Sequence, residues 1–331
     1  MTLSTESAER IALVYTAAKR NGSLVTVQEL TRLLPEITSE SEVRDAIASV
    51  PFLNSKFELR SGFLTERLRG PALNPVILEA DSRRLALANL VQASRFVSFL
   101  HGSGFQVVAV SGSTSYGSAS VSKDTDLFCV APHQSMWVCL TKSLVLARAY
   151  GLLNRHDSRV CISCVMDEEC ARSAFEESRD PLFARDALEA KVLKGRGRYE
   201  SLLRSASWIS DYYPAAYREV LMGRPATSPK PNPTSFARVL NRLLYLVMGK
   251  YIQVKASLLN RKFRIGGRSG DVFGVRYGED HLIYESRRYL DLKKEYEAAD
   301  QRLQIRRKAF LQEAQSNPLP TRHKPMASER V

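Results

Sequence analysis

The sequence predicts an α+β chain that is rich in helices, with one small mixed β-sheet between an N-terminal module and a helical C-terminal region. Three observations support this prediction. Two helix-capping patterns and two short strands fill residues 1–70. Two apolar runs joined by a glycine-containing turn occupy residues 105–131. From Asp180 onward, apolar residues recur mainly at helical spacing.

Length and composition are typical of a globular protein with more than one domain. The chain has 331 residues, of which 44% are hydrophobic, and this suggests two or three domains with a full core. No window approaches the roughly 18 uninterrupted apolar residues of a membrane span. The N-terminus also lacks the basic and apolar regions of a signal peptide. We therefore expect a cytoplasmic protein without a membrane partner.

Charge and cysteines add two expectations. The net charge of +13 favours polyanionic partners. The basic residues are spread along the chain, however, and a spread of this kind is also found where charge only keeps a protein soluble.

The five cysteines are odd in number and argue against a disulfide framework. Cys161 and Cys164 lie in a predicted strand, where residues i and i+3 face opposite ways. We therefore expect reduced thiols rather than a zinc or redox site at this pair.

Residues 1–70 predict a winged helix–turn–helix module. Apolar spacing predicts one helix over residues 6–20. Capping-box patterns beginning at Thr26 and Ser39 predict two more helices. Two strands, Phe52–Leu59 and Phe63–Arg67, would form the wing.

The third helix of this module is the one that such folds present to a DNA major groove. It carries Glu40, Glu42 and Asp45 against Arg44 alone. Because acidic side chains that face phosphates reduce affinity, we do not expect this module to bind duplex DNA. Docking onto the rest of the chain, or onto a protein partner, fits its charge better.

The most informative segment is the turn between the two apolar runs. Gly112 and Ser113 open it, Gly117 follows, and Asp124 and Asp126 close it. Residues i and i+2 of a strand share a face, so the two carboxylates would lie side by side and require a cation between them. Hard oxygen ligands suit Mg²⁺ or Mn²⁺. Glycines allow the backbone to approach a phosphate closely.

The segment Ser111–Val130 resembles the nucleotidyltransferase superfamily whose best-known member is DNA polymerase β, in which a Gly-Ser turn precedes Asp-x-Asp by about a dozen residues. The resemblance implies that Gly112, Ser113 and Gly117 hold the triphosphate of an NTP, for which we expect ATP. It implies that Asp124 and Asp126 bind the catalytic metal. Lys123, in the same loop, can neutralise a phosphate.

This family transfers a nucleoside monophosphate to an acceptor hydroxyl and releases pyrophosphate. It normally supplies a third carboxylate from the middle of a later strand. The predicted third strand, Arg159–Met166, contains no acid, and our candidate is Asp167 at its end. Glu168, Asp157 or no third acid at all are the alternatives. A chain with two carboxylates would instead be a catalytically weak nucleotide sensor coupled to the winged helix.

The predicted organisation is a winged-helix module over residues 1–70, a nucleotidyltransferase core over 76–180, a helical domain over 181–315 and a disordered tail over 316–331. The segment Asp180–Pro214 also resembles the region after the core in prokaryotic nucleotidyltransferase-domain proteins of undefined substrate. The acceptor stays open between tRNA or other RNA, a small molecule and a protein, since no RNA-binding pattern of aromatic and basic residues is present.

Overall fold

The structure is a computed structural model that describes residues 5–21, 23–35, 38–67, 75–118, 124–153, 160–221, 235–267, 272–298 and 301. Helices pack around two β-sheets within these ranges, which confirms the α+β class in general terms. None of the helices in these ranges is both long enough and apolar enough to cross a membrane. Lys123 and the predicted tail over 316–331 lie outside the described residues.

The N-terminal module contains helices and a three-stranded sheet of order β1-β3-β2. Both predicted capping boxes form; the Glu29 backbone N–H donates to Thr26 Oγ1 at 3.1 Å, and the Thr26 N–H donates to a Glu29 carboxylate oxygen at 2.9 Å. Residues 52–56, predicted as strand, are helical instead because Pro51 starts a helix with its fixed φ. The elements are α1 (Thr5–Asn21), β1 (Val25–Thr26), α2 (Val27–Arg32), α3 (Glu40–Ser49), α4 (Pro51–Lys56), β2 (Phe57–Arg60) and β3 (Phe63–Glu66).

The rest of the described chain is built around a second sheet of order β7-β4-β5-β6-β9-β8. Strands β5 and β6 are parallel, and the other neighbouring pairs are antiparallel. The elements are α5 (Pro75–Phe99), β4 (Val107–Ser111), α6 (Gly112–Ser115), β5 (Thr125–Ala131), α7 (Met136–Leu153), β6 (Val160–Asp167), α8 (Glu168–Glu177), α9 (Pro181–Glu189), β7 (Lys191–Lys194), α10 (Arg196–Ser205), α11 (Ile209–Tyr212), α12 (Pro214–Val220), α13 (Ser235–Ile265), β8 (Phe273–Tyr277), β9 (His281–Ser286) and α14 (287–298).

Three strands lie in the stretch that we expected to be helical. Strand β7 pairs with β4. Gly195 follows β7 directly and has a φ of +76°. It lies so close to the Gln106 carbonyl that the Cβ of any other residue would clash there. Strands β8 and β9 form a hairpin whose second strand pairs with β6. Pairing with distant sheet edges therefore overrides the helical spacing of residues 191–194 and 281–286.

The two faces of this sheet belong to different cores. One face packs against α5, α7 and α13 through residues such as Val108, Val110 and Leu127. The other face, with Val107 and Val130, shares a continuous core with α8 to α12 and with the N-terminal module. The module is thus packed onto the rest of the chain rather than attached by a linker alone.

A β-bulge in β6 corrects our expectation for Cys161 and Cys164. The pairing with β5 shifts at Ser163, so Cys161 lies opposite Asp126 and Cys164 lies opposite Phe128. The extra residue places both thiols on one face of the sheet, although alternation alone puts them on opposite faces. All five cysteines fall within the described residues, and each is free of a disulfide.

A buried arginine of the N-terminal module contacts the rest of the molecule, and a second buried arginine shares one of its aromatic partners. Arg10 of α1 is 1% exposed, and its guanidinium carbon lies 5.6–6.0 Å from the ring centres of Tyr212, Tyr213 and Tyr296. Arg185 of α9 donates to the Tyr296 hydroxyl at 3.1 Å. A buried cation surrounded by aromatic rings is stabilised by their negative faces. We call these residues the arginine–tyrosine cluster.

We expect Arg10→Ala to lower the free energy of unfolding by about 2–4 kcal/mol, because it removes three desolvated cation–π contacts and leaves a cavity. Urea unfolding of the full chain measures this. Arg44→Ala is the control, since Arg44 forms an exposed ion pair with Glu40 on α3 and its loss should cost at most about 0.5 kcal/mol. Equal losses for both variants would contradict the role of the cluster.

Candidate functional site

The predicted phosphate turn lies directly against the predicted metal carboxylates. Strand β4 ends at Ser111, which pairs with Asp126 of β5. Gly112 follows with a φ of +65°, and a Cβ at this position would lie 3.1 Å from Asp126 Oδ2. The missing side chain therefore lets the turn backbone approach the carboxylate closely.

Internal hydrogen bonds close the turn. The Ser115 hydroxyl donates to the Gly112 carbonyl at 2.8 Å, and the Ser118 N–H donates to the Ser113 carbonyl at 2.9 Å. Ser115 and Ser118 are fully buried, whereas Ser113 is half-buried and borders the cleft described below. Residues 112–118 thus have a defined shape, and Ser113 remains accessible to a ligand.

Asp124 and Asp126 fit a hard divalent cation. Asp126 is half-buried at the start of β5, and Asp124 is exposed immediately before the strand. Both residues border the same cleft, and the charges of both act on the Cys161 thiol. Such a pair, open to solvent on one side, matches the way Mg²⁺ is held by one or two carboxylates with water and phosphate completing its shell.

Cys161 occupies the position on the neighbouring strand that faces the carboxylates. It pairs with Asp126 across the parallel β5–β6 ladder. Burial, together with the charges of Asp126 and Asp124, raises the pKa of the Cys161 thiol to about 12. The thiol is therefore protonated at neutral pH and adds no negative charge to the site.

The structure does not bring Asp167 to this site, and its prediction as the third carboxylate is wrong. Asp167 pairs with Ala131, five residues along β5 from Asp126, which places it about 16 Å away at the usual rise per residue. Its carboxylate instead caps α8 by accepting from the N–H groups of Glu169 and Cys170. Asp167 is therefore a helix N-cap at the opposite end of the sheet.

A cleft of about 1650 Å³ extends from the turn across the sheet face toward α13 and α14. Gly112, Ser113, Asp124 and Asp126 all border it. Its lining also contains five basic side chains from distant parts of the sequence, of which Arg276 pairs with Glu285 and Lys293 with Asp180. These residues are Lys255, Lys262, Arg276, Arg288 and Lys293. Six carboxyl side chains line the cleft as well, so its basic and acidic groups are nearly balanced in number. They are Asp124, Asp126, Glu177, Asp180, Asp186 and Glu285.

The sequence does not reveal these basic residues, because each is more than 120 positions from the turn and lies in a helix or strand with no motif of its own. The same holds for Asp186 of α9, which borders the same cleft. Burial, aided by the charge of Glu189, raises the pKa of Asp186 to about 8. The cleft thus contains a carboxyl that is largely protonated at neutral pH.

None of the family models, curated proteins or solved structures that were compared with this chain matches it. Function is therefore inferred from the residues of the cleft and their geometry.

We expect Gly112→Ala to weaken Mg²⁺-dependent nucleotide binding more than Gly117→Ala does. Both glycines have a positive φ, so both variants carry backbone strain of about 1 kcal/mol. Only at residue 112 does the new Cβ also press on Asp126, because the space around Gly117 is open. Calorimetric titration of ATP with Mg²⁺ compares the two, and equal losses of affinity would contradict the contact.

We expect Asp186→Asn to flatten the pH dependence of stability. The unfolded carboxyl ionises near its ordinary value of 3.8 and the folded one near about 8, so the folded state binds the extra proton. The stabilisation that this proton provides is fully present below the unfolded pKa of 3.8 and is lost as the pH rises through the folded pKa of about 8. Across that range the free energy of unfolding of the wild type should fall relative to that of the variant. Melting temperatures from about pH 4 to about pH 9 test this, with the exposed Asp211→Asn as control. Parallel curves for wild type and Asp186→Asn would refute it.

Proposed function

We propose that the chain is a metal-dependent nucleotidyltransferase of the DNA polymerase β type, which transfers a nucleoside monophosphate from ATP or another NTP to an acceptor hydroxyl. The contact between the Gly112 turn and the Asp126 carboxylate carries the proposal. A phosphate-binding turn and a pair of metal carboxylates are useful for this chemistry only when they adjoin, since the metal must contact protein and phosphate together.

Each residue of the site has a role in this proposal. Asp124 and Asp126 would hold Mg²⁺ or Mn²⁺, which when bound neutralises charge on the phosphates during in-line displacement. The Gly112 turn and Ser113 would position the triphosphate, and basic side chains of the cleft such as Lys255 and Lys262 would pair with its negative charges. The acceptor oxygen forms its bond to the α-phosphorus as the bond to the β-phosphate oxygen breaks, and the acceptor proton is lost to solvent or to a base.

The surrounding architecture supports the same proposal. An antiparallel β4–β5 pair joined to a parallel β6 is a small mixed sheet of the expected kind. The three-stranded sheet and helices of residues 5–67 support the winged-helix interpretation. On α3 the acidic Glu40 and Asp45 are exposed, which supports the expectation that this module does not bind duplex DNA.

The acceptor stays open between tRNA or other RNA, a small molecule and a protein. The cleft is wide, and its lining carries both basic and acidic side chains, so its charge does not select one class of acceptor. If the acceptor is RNA, its affinity should fall steeply with salt as counterions are released.

The test is transfer of labelled nucleotide from each NTP, with Mg²⁺, to acceptors in a cell extract. We expect Asp126→Asn to reduce transfer by at least about 100-fold, because one metal carboxylate is lost. Asp167→Ala is the matched control: it should cost about 1 kcal/mol of stability as a lost N-cap and leave transfer unchanged. Transfer that survives Asp126→Asn, or that depends equally on Asp167, would overturn the proposal.

A second candidate function is nucleotide sensing, and two observations favour it. Cys161 stands beside Asp126 where a third acid would be expected of an active enzyme. The phosphate turn is also linked to the N-terminal module, since Arg185 lies 4.7 Å from the ring centre of Tyr116 and contacts Tyr296, which in turn flanks Arg10. Nucleotide binding at the turn can therefore influence how the module is held.

Cys161→Asp separates the two functions. It places a carboxylate beside Asp126 on the adjacent strand. If the chain is a sensor that lacks only its third acid, this variant should gain transfer activity while wild type binds ATP and returns it intact. If the wild-type chain is an enzyme, the variant should gain nothing and wild type should consume ATP. Chromatography of the recovered nucleotide distinguishes these outcomes.

A further inference from the structure

A cluster of mixed ligands lies at the end of the sheet opposite Asp126. The thiol of Cys170, the carboxylate of Asp280 and the imidazole of His281 offer ligand atoms that all lie within 4.8 Å of one another. His281 Nδ1 is 2.7 Å from Asp280 Oδ1. Cys170 belongs to α8, and the other two belong to the β8–β9 hairpin, so the cluster depends on the tertiary fold.

We propose that Cys170, Asp280 and His281 bind a zinc ion, with ligands distinct from Asp124 and Asp126, although Cys170 and His281 border the same cleft. Sulfur, nitrogen and oxygen donors together suit Zn²⁺, whereas Mg²⁺ takes oxygen ligands. Three protein ligands leave the fourth tetrahedral position for water or a substrate group, as in catalytic zinc sites. The site is partly exposed, so an ion and a ligand can reach it.

The backbone holds the three ligands in place. The Cys170 N–H donates to Asp167 Oδ1 at 2.9 Å, and the Asp167 N–H donates to the Asp280 carbonyl at 2.8 Å. Gly278 in the hairpin turn admits the imidazole, because a Cβ there would lie 2.8 Å from His281 Cε1.

The test uses the full chain after removal of metal by a chelator. Competition with a chromophoric chelator measures zinc affinity, and Co²⁺ substitution shows thiolate ligation as a charge-transfer band. We expect Cys170→Ser and His281→Ala each to lower the affinity for zinc by at least about 10-fold. Cys170→Ser should also abolish the charge-transfer band of the Co²⁺ form. Cys161→Ser and Asp126→Asn should change neither, which keeps this result independent of the proposed transferase. Equal affinity in wild type and Cys170→Ser, each with native circular dichroism, would overturn the proposal.

An independent observation concerns the outer face of α13. The helix contains seven basic residues and no acidic one. Its inner face packs on the sheet through Ile252 and Ala256, yet large apolar side chains on the opposite face are more than half exposed. These are Val239, Leu243, Leu246, Val247, Tyr251, Val254, Leu258 and Ile265. An exposed apolar patch of this extent marks an interaction surface.

We infer that this face of α13 docks on an anionic lipid surface, which departs from the expectation, drawn from the sequence, of no membrane partner. An apolar ridge flanked by lysine and arginine is the pattern of helices that lie in the membrane interface, and it needs no membrane span. Charge argues against a second copy of the chain, because two such helices side by side would repel each other. Phosphates of nucleic acid would satisfy the basic residues but leave the apolar ridge uncovered.

Flotation with vesicles of phosphatidylcholine, alone or mixed with phosphatidylserine, tests this surface. We expect binding only to the mixed vesicles, weakened by salt and lost in a Leu243→Glu, Leu258→Glu double variant. Phe52→Glu, an exposed residue of the N-terminal module, should leave binding unchanged. The inference fails if the wild type does not float with the mixed vesicles. It also fails if sedimentation shows a dimer that the double variant abolishes without any vesicle binding.

Discussion

The antiparallel pairing of β4 with β5 is the constraint on which the candidate site depends. Ser111 pairs with Asp126 in this ladder, so the next residue, Gly112, lies against the Asp126 carboxylate. A slip by one residue would turn Asp126 to the other face of the sheet, toward α7 and α13. Buried apolar residues on both faces resist such a slip, because Val110 and Val107 would have to exchange cores. The position of two polar residues is therefore maintained by the packing of many apolar ones.

The arginine–tyrosine cluster extends this constraint to the whole molecule. Arg10 and Arg185 are almost completely buried, and desolvating a guanidinium is costly unless rings and hydroxyls compensate for the lost water. Tyr296 contacts both Arg10 and Arg185. Arg185 also packs on the ring of Tyr116, which belongs to the predicted phosphate turn. Movement of the N-terminal module would disturb these contacts, so the module and the turn are mechanically connected. This connection is useful to a sensor and equally to an enzyme whose access is regulated.

The two ends of the sheet carry different chemistry. At the start of β5 and β6, two carboxylates lie beside a protonated thiol and a cleft of mixed charge, and carboxylate oxygens suit a hard cation. At the other end of β6, Asp167 caps α8, and sulfur and imidazole join a carboxylate. Because β6 connects the two ends, one strand contributes to both, and the role first expected of Asp167 is replaced by a structural one.

The sequence by itself determined the local features. Capping boxes at Thr26 and Ser39, the apolar strands around the turn, and the adjacency of Asp124 and Asp126 all follow from short-range spacing and side-chain chemistry. Only the tertiary structure decided the rest. Strands β7 to β9 form because distant edges of the sheet pair with them, and the bulge at Ser163 sets which thiol faces Asp126. The basic residues of the cleft, and the meeting of Cys170 with His281, arise from contacts between segments more than 100 positions apart, which no local pattern encodes.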